Sequence, residues 1–595
     1  MSNIEDDFLD YFEGEISDLE EKFKDFGLQY PKAISSAKLA PRSSDPHINL
    51  LLESFAFYSA KIKSRVEELK YSVPEATLSR IDPALIEAIP AVSLAKYDIN
   101  IENPPAPQGF NIPKNTKLYA TSEDNFVCNF KSCYDLQLYP LNTSHLKSEP
   151  THTRDFWGSD VRSVLTLQID AFGCQINDIN TTELRFFIDG ETKLALKLRE
   201  MLFRDLSEVV IFNEQTGDRV SLGQDCLRSI GYSDDEAILD TGLSANPSYR
   251  LLKEYCIFPQ KFAFFSLYNL DFPAASNSLK ILFGLKKSFP KWLTVDRLSF
   301  DLNVTPIINR YQKTAEPILL KNLKNNYRVR PELANEKSEI IRIEKVTLSS
   351  PGVEGAKDIP HVFASSSLDA RQSIYWSSKH HKSFSSDVYA SLVIYNKTPL
   401  EEDLDATIGL VDVICHNPKQ AKYITPGTKL HCDFEIPGIV KVLNFPSKSH
   451  LRLQEEDVLW RLANRLRTTL PNFLKSEDKK DNARRLVEHL SDYVPPGLDT
   501  SINEIHGISE LSVKPCIRKV HKNGHASLVE GFEVMVMFDS GNFAESNLYL
   551  FSEVLNEMMS DFVSLNSFVS LKTSTIQDPQ EWLTWKPGRY GQSTI

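Results

Sequence analysis

Two histidines four residues apart, His521 and His525 in HKNGH, have the spacing at which one helix face would offer both imidazoles to a metal ion. The Asn-Gly between them predicts a hairpin turn instead, because Gly accepts the positive φ of a tight turn. His380 and His381 are adjacent, so no regular helix or strand puts both rings on one face, and the flanking Ser and Lys residues predict a solvated loop. Carboxylates run together at Asp234-Asp235-Glu236 and Glu401-Glu402-Asp403. Glycoside hydrolysis needs opposed carboxylates across a cleft, whereas such runs predict solvated faces. Trp157, Trp376, Trp582 and Trp585 can stack on sugars or anchor a core or interface. The phosphate loop GxxxxGK[ST], the dinucleotide GxGxxG, the zinc HExxH and the nucleophile GxSxG are all absent. No catalytic, cofactor-binding or metal residue is assigned, and no cofactor is expected.

With chemistry thin, the elements carry the reading. A chain of 595 residues exceeds one core and predicts three or four domains. The net charge of −13 disfavours nucleic acid or anionic lipid as principal partner. No window is apolar enough to span a membrane, and the acidic start MSNIEDDF is unlike a signal peptide, so a cytosolic protein is expected. The eight cysteines lack CxxC pairs and read as reduced, mostly buried thiols; Cys128 and Cys133 are near enough in sequence to bridge, which a cytosolic redox poise opposes.

The segment FLDYFEGEISDLEEKF sets Phe8, Phe12, Ile16, Leu19, Phe23 and Phe26 on one helix face. A second helix starts with Asp45 as N-cap and Pro46 at its first position, with a stripe of Ile48, Leu51, Leu52, Phe55, Tyr58, Ile62, Val66 and Leu69. The segment after it, VPEATLSRIDPALIEAIP, is expected to break into short pieces at Pro74, Pro83 and Pro90. The covering surface nearby is thin, so the pair is either a small helical domain closed on its own chain or half of a bundle completed by a partner. Periodicity does not separate the two.

The fold class expected is multidomain α+β. Residues 1–92 form an N-terminal helical, bundle-forming region; 93–312 a β-sandwich-like domain with an inserted helix at LALKLREMLFRDL; 313–450 a second β-rich domain; 451–595 a C-terminal α+β domain. In the last, the helix NLYLFSEVLNEMMSDFV puts Leu548, Phe551, Leu555, Met558 and Phe562 on one face, a second candidate interface or a domain core.

The blocks YFEGEISDLEEKF, DPHINLLLESFAF, FKSCYDLQLYPL, RFFIDGETKLALKLREMLF, EYCIFPQKFAFFSL, LNVTPIINRYQKTAEPILL, VLWRLANRL, LVEGFEVMVMFD and NLYLFSEVLNEMMSDFVSLNSF run collinearly along nearly the whole chain. In this order they resemble the TssF family (also VasA or ImpG) of bacterial type VI secretion systems. SRIDPALIEAIP and WKPGRY depart from the family pattern and place the local contacts there in question. The resemblance implies a non-enzymatic baseplate subunit, two copies of which join one TssG in a wedge that also carries TssE and TssK. It implies further neighbours in the spike, the inner-tube base and the sheath, recruitment to the cytoplasmic face of the inner membrane, and only indirect membrane association. It also implies a helix bundle shared by two such chains and TssG, so that the stripes, with Phe551, Leu555 and Phe562 as second candidates, become protein interface. Two rivals stand: a wedge protein of another contractile injection particle, and a β-sandwich protein that binds or cleaves glycans.

Overall fold

The computed structural model describes residues 4–30, 46–121, 127–144, 146–149, 157, 160–240, 247–270, 272, 276–295, 298–321, 326–331, 338–350, 355–362, 364, 373–382, 388–396, 407–453, 455–465, 477–522, 525–544, 546–562 and 567–586. The helices are α1 (Ile4–Gln29), α2 (Pro46–Ile81), α3 (Thr192–Arg204), α4 (Pro247–Ile257), α5 (Glu456–Arg465), α6 (Lys479–Ser491), α7 (Asp499–His506) and α8 (Leu548–Met559). Among the described residues none is long and apolar enough to cross a membrane.

The mixed fold class holds, with α1 and α2 as an N-terminal helical pair ahead of the β-rich middle. One correction falls on α2, which continues through Pro74 to Ile81 instead of breaking there. A proline inside a helix removes one backbone hydrogen bond and crowds the preceding turn. Here the turn after it is anchored: Leu78 is fully buried, and Arg452 bonds Glu75 at 2.9 Å.

The middle of the chain holds two sandwiches and a barrel. In the first sandwich one sheet runs in the order Arg219–Gly223, Leu206–Phe212, Ser278–Leu285, Ser163–Ala171, Leu141–Thr143, with Lys147–Glu149 also on Ser163–Ala171. Its partner sheet runs Leu227–Ser229, Phe264–Tyr268, Glu183–Asp189, Ser299–Asp301. Between them Phe283 meets Phe300 at 5.7 Å and Phe265 at 6.5 Å, edge to face, the arrangement aromatic quadrupoles favour. The inserted helix is α3, entered through Gly190 at φ +137°, a conformation that glycine takes without steric cost. The second sandwich packs Glu339–Ser349 and Ile408–His416 over Ile374–Lys382 and Val388–Asn396, around Val346, Trp376, Leu392 and Val411.

Between the sandwiches a closed six-stranded barrel is formed by Val92–Ile99, Val304–Ile308, Val127–Ser132, Lys117–Thr121, Lys429–Cys432 and Gly438–Val442. Its strands come from both sides of the boundary expected at residue 312. The C-terminal sheet is ordered Ile508–Lys522, His525–Phe538, Phe568–Thr575, Leu583–Thr584, and the parallel pair within it is bridged by α8.

Helix α4 joins these parts, and its pattern hid it from the sequence because its charged residues face inward. Lys253 is 4 % exposed and donates to the carbonyls of Ala84 at 2.6 Å and Leu85 at 3.0 Å, just beyond the end of α2. Glu254 accepts from the backbone N–H groups of Ile238 and Leu239, both at 2.8 Å, and pairs with the buried Lys261. Tyr249 bonds His489 of α6 at 3.0 Å, and the Tyr255 hydroxyl donates to Glu504 of α7 at 2.8 Å. Burial lowers Lys253 to about 8 and, against the attraction of Lys253, raises Asp82 to about 6.

Through the window from about pH 4 to 6 folded Asp82 keeps a proton that the unfolded chain has lost, so its contribution to stability falls as pH rises. Asp82→Asn is therefore expected to flatten that part of the stability profile by on the order of 1–3 kcal/mol, read as the difference from the unaltered chain in denaturant unfolding at pH 4, 5, 6 and 7. A difference that does not change with pH would refute the assignment.

Candidate assembly interface

α1 and α2 pack side by side. Phe12 meets Phe57 edge to face at 6.4 Å, while Ser59 and Lys63 of α2 bond the Glu15 carboxylate at 2.5 and 3.0 Å. Those two donors, Ser59 first, hold Glu15 below the usual carboxylate range. Phe12, Ile16 and Leu19 are half-buried against this seam. On α2 the small side chains of Ala56 and Ala60 are fully buried.

The bulky stripe lies outside. Leu51, Phe55, Tyr58 and Ile62 are 57 %, 63 %, 64 % and 65 % exposed, at the 4-3-4 spacing that keeps them on one face. Leu50 and Val73 are also exposed, at 62 % and 57 %. A soluble monomer rarely presents so continuous an apolar row, and such rows mark association surfaces. The side chains of Phe8, Phe23, Phe26, Ile48, Leu52, Val66 and Leu69 lie outside the described residues.

The second candidate stripe is corrected. Phe551, Leu555 and Phe562 are 1 %, 1 % and 2 % exposed and belong to the core of the C-terminal domain. Phe551 meets Tyr255, Phe538 and Phe543 at 5.8, 5.9 and 5.5 Å, because α8 must cover the sheet it crosses.

The candidates for chemistry disperse. His380 and His381 sit in the strand Ile374–Lys382 and not in a loop: one ring bonds the Ile341 carbonyl at 3.1 Å, the other the Ser391 hydroxyl at 2.9 Å. Strand alternation sends the two rings to opposite faces. The backbone pairs Lys522 with His525, as a hairpin requires, while the side chains of His521 and His525 lie outside the described residues. Glu236 closes a short turn by accepting from the N–H groups of Gly231, Tyr232 and Ser233, and Asp234 pairs with Arg250 at 2.9 Å. Residues 401–403 lie outside the described residues. Trp376 donates to the Ile359 carbonyl and Trp585 to the Thr573 hydroxyl, each at 3.0 Å and each buried, so both are core anchors. Cys128 and Cys133 are free, buried thiols that burial pushes up to about 12.

Comparison with known proteins gives a consistent result. The family model described as "Type VI secretion system, TssF" matches residues 4–592. The "Type VI secretion system component TssF1" of Pseudomonas aeruginosa is 22% identical, over 98% of each chain. A chain in the cryo-electron microscopy structure of a type VI secretion system TssK-TssF-TssG baseplate subcomplex has a TM-score of 0.74 at 20% identity, covering 91% of this chain and 99% of that one. A chain of the type VI baseplate complex gives 0.55 at 18% identity, covering 98% and 99%.

Two phenylalanines on two helices provide the internal control. Phe551→Ala is expected to cost about 3–5 kcal/mol of stability. Phe55→Ala is expected to stay within about 0.5 kcal/mol in the isolated chain, both by denaturant unfolding of the purified protein. A large loss at Phe55 would mean that its side chain is private core.

Proposed function

This chain belongs to the type VI secretion system TssF family, and from that premise we propose that it is a structural subunit of the baseplate wedge. In this reading the exposed row Leu51, Phe55, Tyr58 and Ile62 is the seam through which its helical pair completes a bundle with other chains. The observation that carries the reading is the exposure pattern on α2: Ala56 and Ala60 are fully buried, while Leu51, Phe55, Tyr58 and Ile62 on another face stand in solvent.

The partners proposed are TssG and TssK, with which the similar chain was solved as a baseplate subcomplex. A second copy of this chain and TssE follow from the wedge implied by the resemblance, as do spike, inner-tube base and sheath proteins as more distant neighbours. The chain acts by holding other subunits in place, in the cytoplasm and against the cytoplasmic side of the inner membrane, which it reaches only through other proteins. Neither of the rivals, another contractile particle or a glycan-binding sandwich, has support comparable to a family match over residues 4–592; of the four tryptophans that suggested sugar stacking, Trp376 and Trp585 are buried, Trp157 packs on a core cluster and Trp582 is 39 % exposed.

Burying a large apolar side chain contributes about 1.5–3 kcal/mol. Phe55→Asp with Tyr58→Asp is expected to weaken association with the TssG-type partner by roughly 10²- to 10⁴-fold, scored by co-purification and native mass spectrometry. Unaltered recovery of the complex would overturn the seam assignment.

A further inference from the structure

The first two strands of the C-terminal sheet outrun it. Ile508–Lys522 and His525–Phe538 pair from end to end, but the third strand begins to pair only at Gly531. Residues 516–530 therefore extend past the sheet as a two-stranded ribbon, and the face that the sheet turns to its core runs on along it. Leu511, Val534 and Val536 are buried on that face, and Val513 and Phe532 pack against the margin of the core. By strand alternation the same face continues to Ile517, Lys519, Leu528 and Glu530, all exposed, Ile517 and Leu528 at 67 % and 75 %.

The rest of the ribbon is engaged or blunted. On its opposite face Val529 is buried and the Arg518 guanidinium lies over the Phe568 ring at 5.0 Å. Ile508–Lys522 is an edge strand, and its Pro515 has no N–H to offer, which opposes the addition of a further strand. One face is left for a partner, and the register fixes how its side chains are arranged. Ile517 stands across from Glu530 and Lys519 across from Leu528, so the apolar pair occupies one diagonal and the opposite charges the other. The four residues carry no net charge, which fits a protein surface and not a polyanion.

We propose that this face pairs with the same face in a second copy of the chain, crosswise and about a two-fold axis. An isologous contact needs a patch that complements itself, and the diagonal arrangement does so in one way. With the axis along the Ile517–Leu528 diagonal, each of these two residues meets its own counterpart, and Lys519 of one copy meets Glu530 of the other, twice. An axis along the strands, or across them, sets apolar side chains on charged ones, and the remaining diagonal sets like charges together. With strands about 5 Å apart and about 6.7 Å between alternate residues, the matching axis crosses the ribbons at roughly 70°, near the orthogonal mode of sheet packing. The pairing goes beyond the baseplate reading, since it uses a different surface from the α2 row and requires no TssG-type partner. So small a patch binds weakly alone and gains from any assembly that holds two copies close together.

The test is crosslinking of the purified full-length chain in a Cys516→Ser background, which removes the ribbon's own thiol. A short bismaleimide suits the about 10 Å between packed sheets better than a disulfide does. Ile517→Cys and Leu528→Cys are each expected to give covalent dimer, because each position faces itself. Lys519→Cys and Glu530→Cys are expected to give less dimer alone than when mixed. With Ile517→Cys as reporter, Lys519→Glu is expected to lose most of the dimer, and Lys519→Glu with Glu530→Lys in the same chain to recover it. The proposal is overturned if Ile517→Cys gives no more dimer than the Cys516→Ser parent, if Lys519→Cys alone crosslinks as well as Ile517→Cys, or if the charge swap recovers nothing. It is overturned equally if Ile517→Cys is protected from a monofunctional maleimide only when the TssG-type partner is present, which would give the face to that partner. Phe55→Asp/Tyr58→Asp is expected to leave the crosslink unchanged while losing the TssG-type partner, so the two readings fail separately.

Discussion

The ammonium of Lys253, buried and bonded to the carbonyls just beyond α2, is the contact on which the rest of the architecture depends. A lysine taken out of water costs several kcal/mol unless its donors are satisfied, and here the acceptors come from a segment more than 150 residues away in sequence. These two bonds fix the segment that follows the helical pair against α4. The same helix bonds α6 through Tyr249 and α7 through Tyr255, so the first sandwich, the C-terminal domain and the helical pair share one rigid junction. Asp240 extends that junction, bonding Arg310 beside the barrel at 2.9 Å and approaching Arg342 of the second sandwich at 3.8 Å.

A rigid base changes what the exposed row on α2 can do. An apolar stripe on a loosely tethered helix would fold back onto its own chain. Held by Leu78 and Glu75 at one end and joined to α1 through Phe57, Ser59 and Lys63, α2 keeps Phe55 and Tyr58 in water, open to the partner chain proposed above. On the proposed reading, order at the base favours binding at the α2 row, because a pre-placed surface loses little entropy on binding.

Much of this was legible in the sequence where periodicity and burial agree. The α2 stripe was legible as a stripe, and α3 and α8 as helices, because apolar spacing is a property of the chain itself. Whether a stripe faces its own core or a stranger is not: Phe551 and Phe55 sit in equally periodic runs, and only tertiary packing buries one at 1 % and leaves the other at 63 %. Helix α4 was missed because Arg250, Lys253 and Glu254 are buried, inverting the polar-out pattern by which helices are recognised. The barrel was illegible for a different reason, since strands as far apart as Val92–Ile99 and Gly438–Val442 pair directly. Pro74 misled because a helix break costs only a few kcal/mol, which the surrounding packing can outweigh.

The α2 row faces solvent in the free chain, and the central proposal is that the assembly covers it. Hydroxyl-radical footprinting of Phe55 and Tyr58, in the isolated chain and in its complex with the TssG-type partner, tests this at the side chains themselves. Both rings are expected to react strongly in the free chain and to be protected in the complex, with buried Phe551 unreactive throughout. Equal reactivity of Phe55 and Tyr58 in the two states would contradict it.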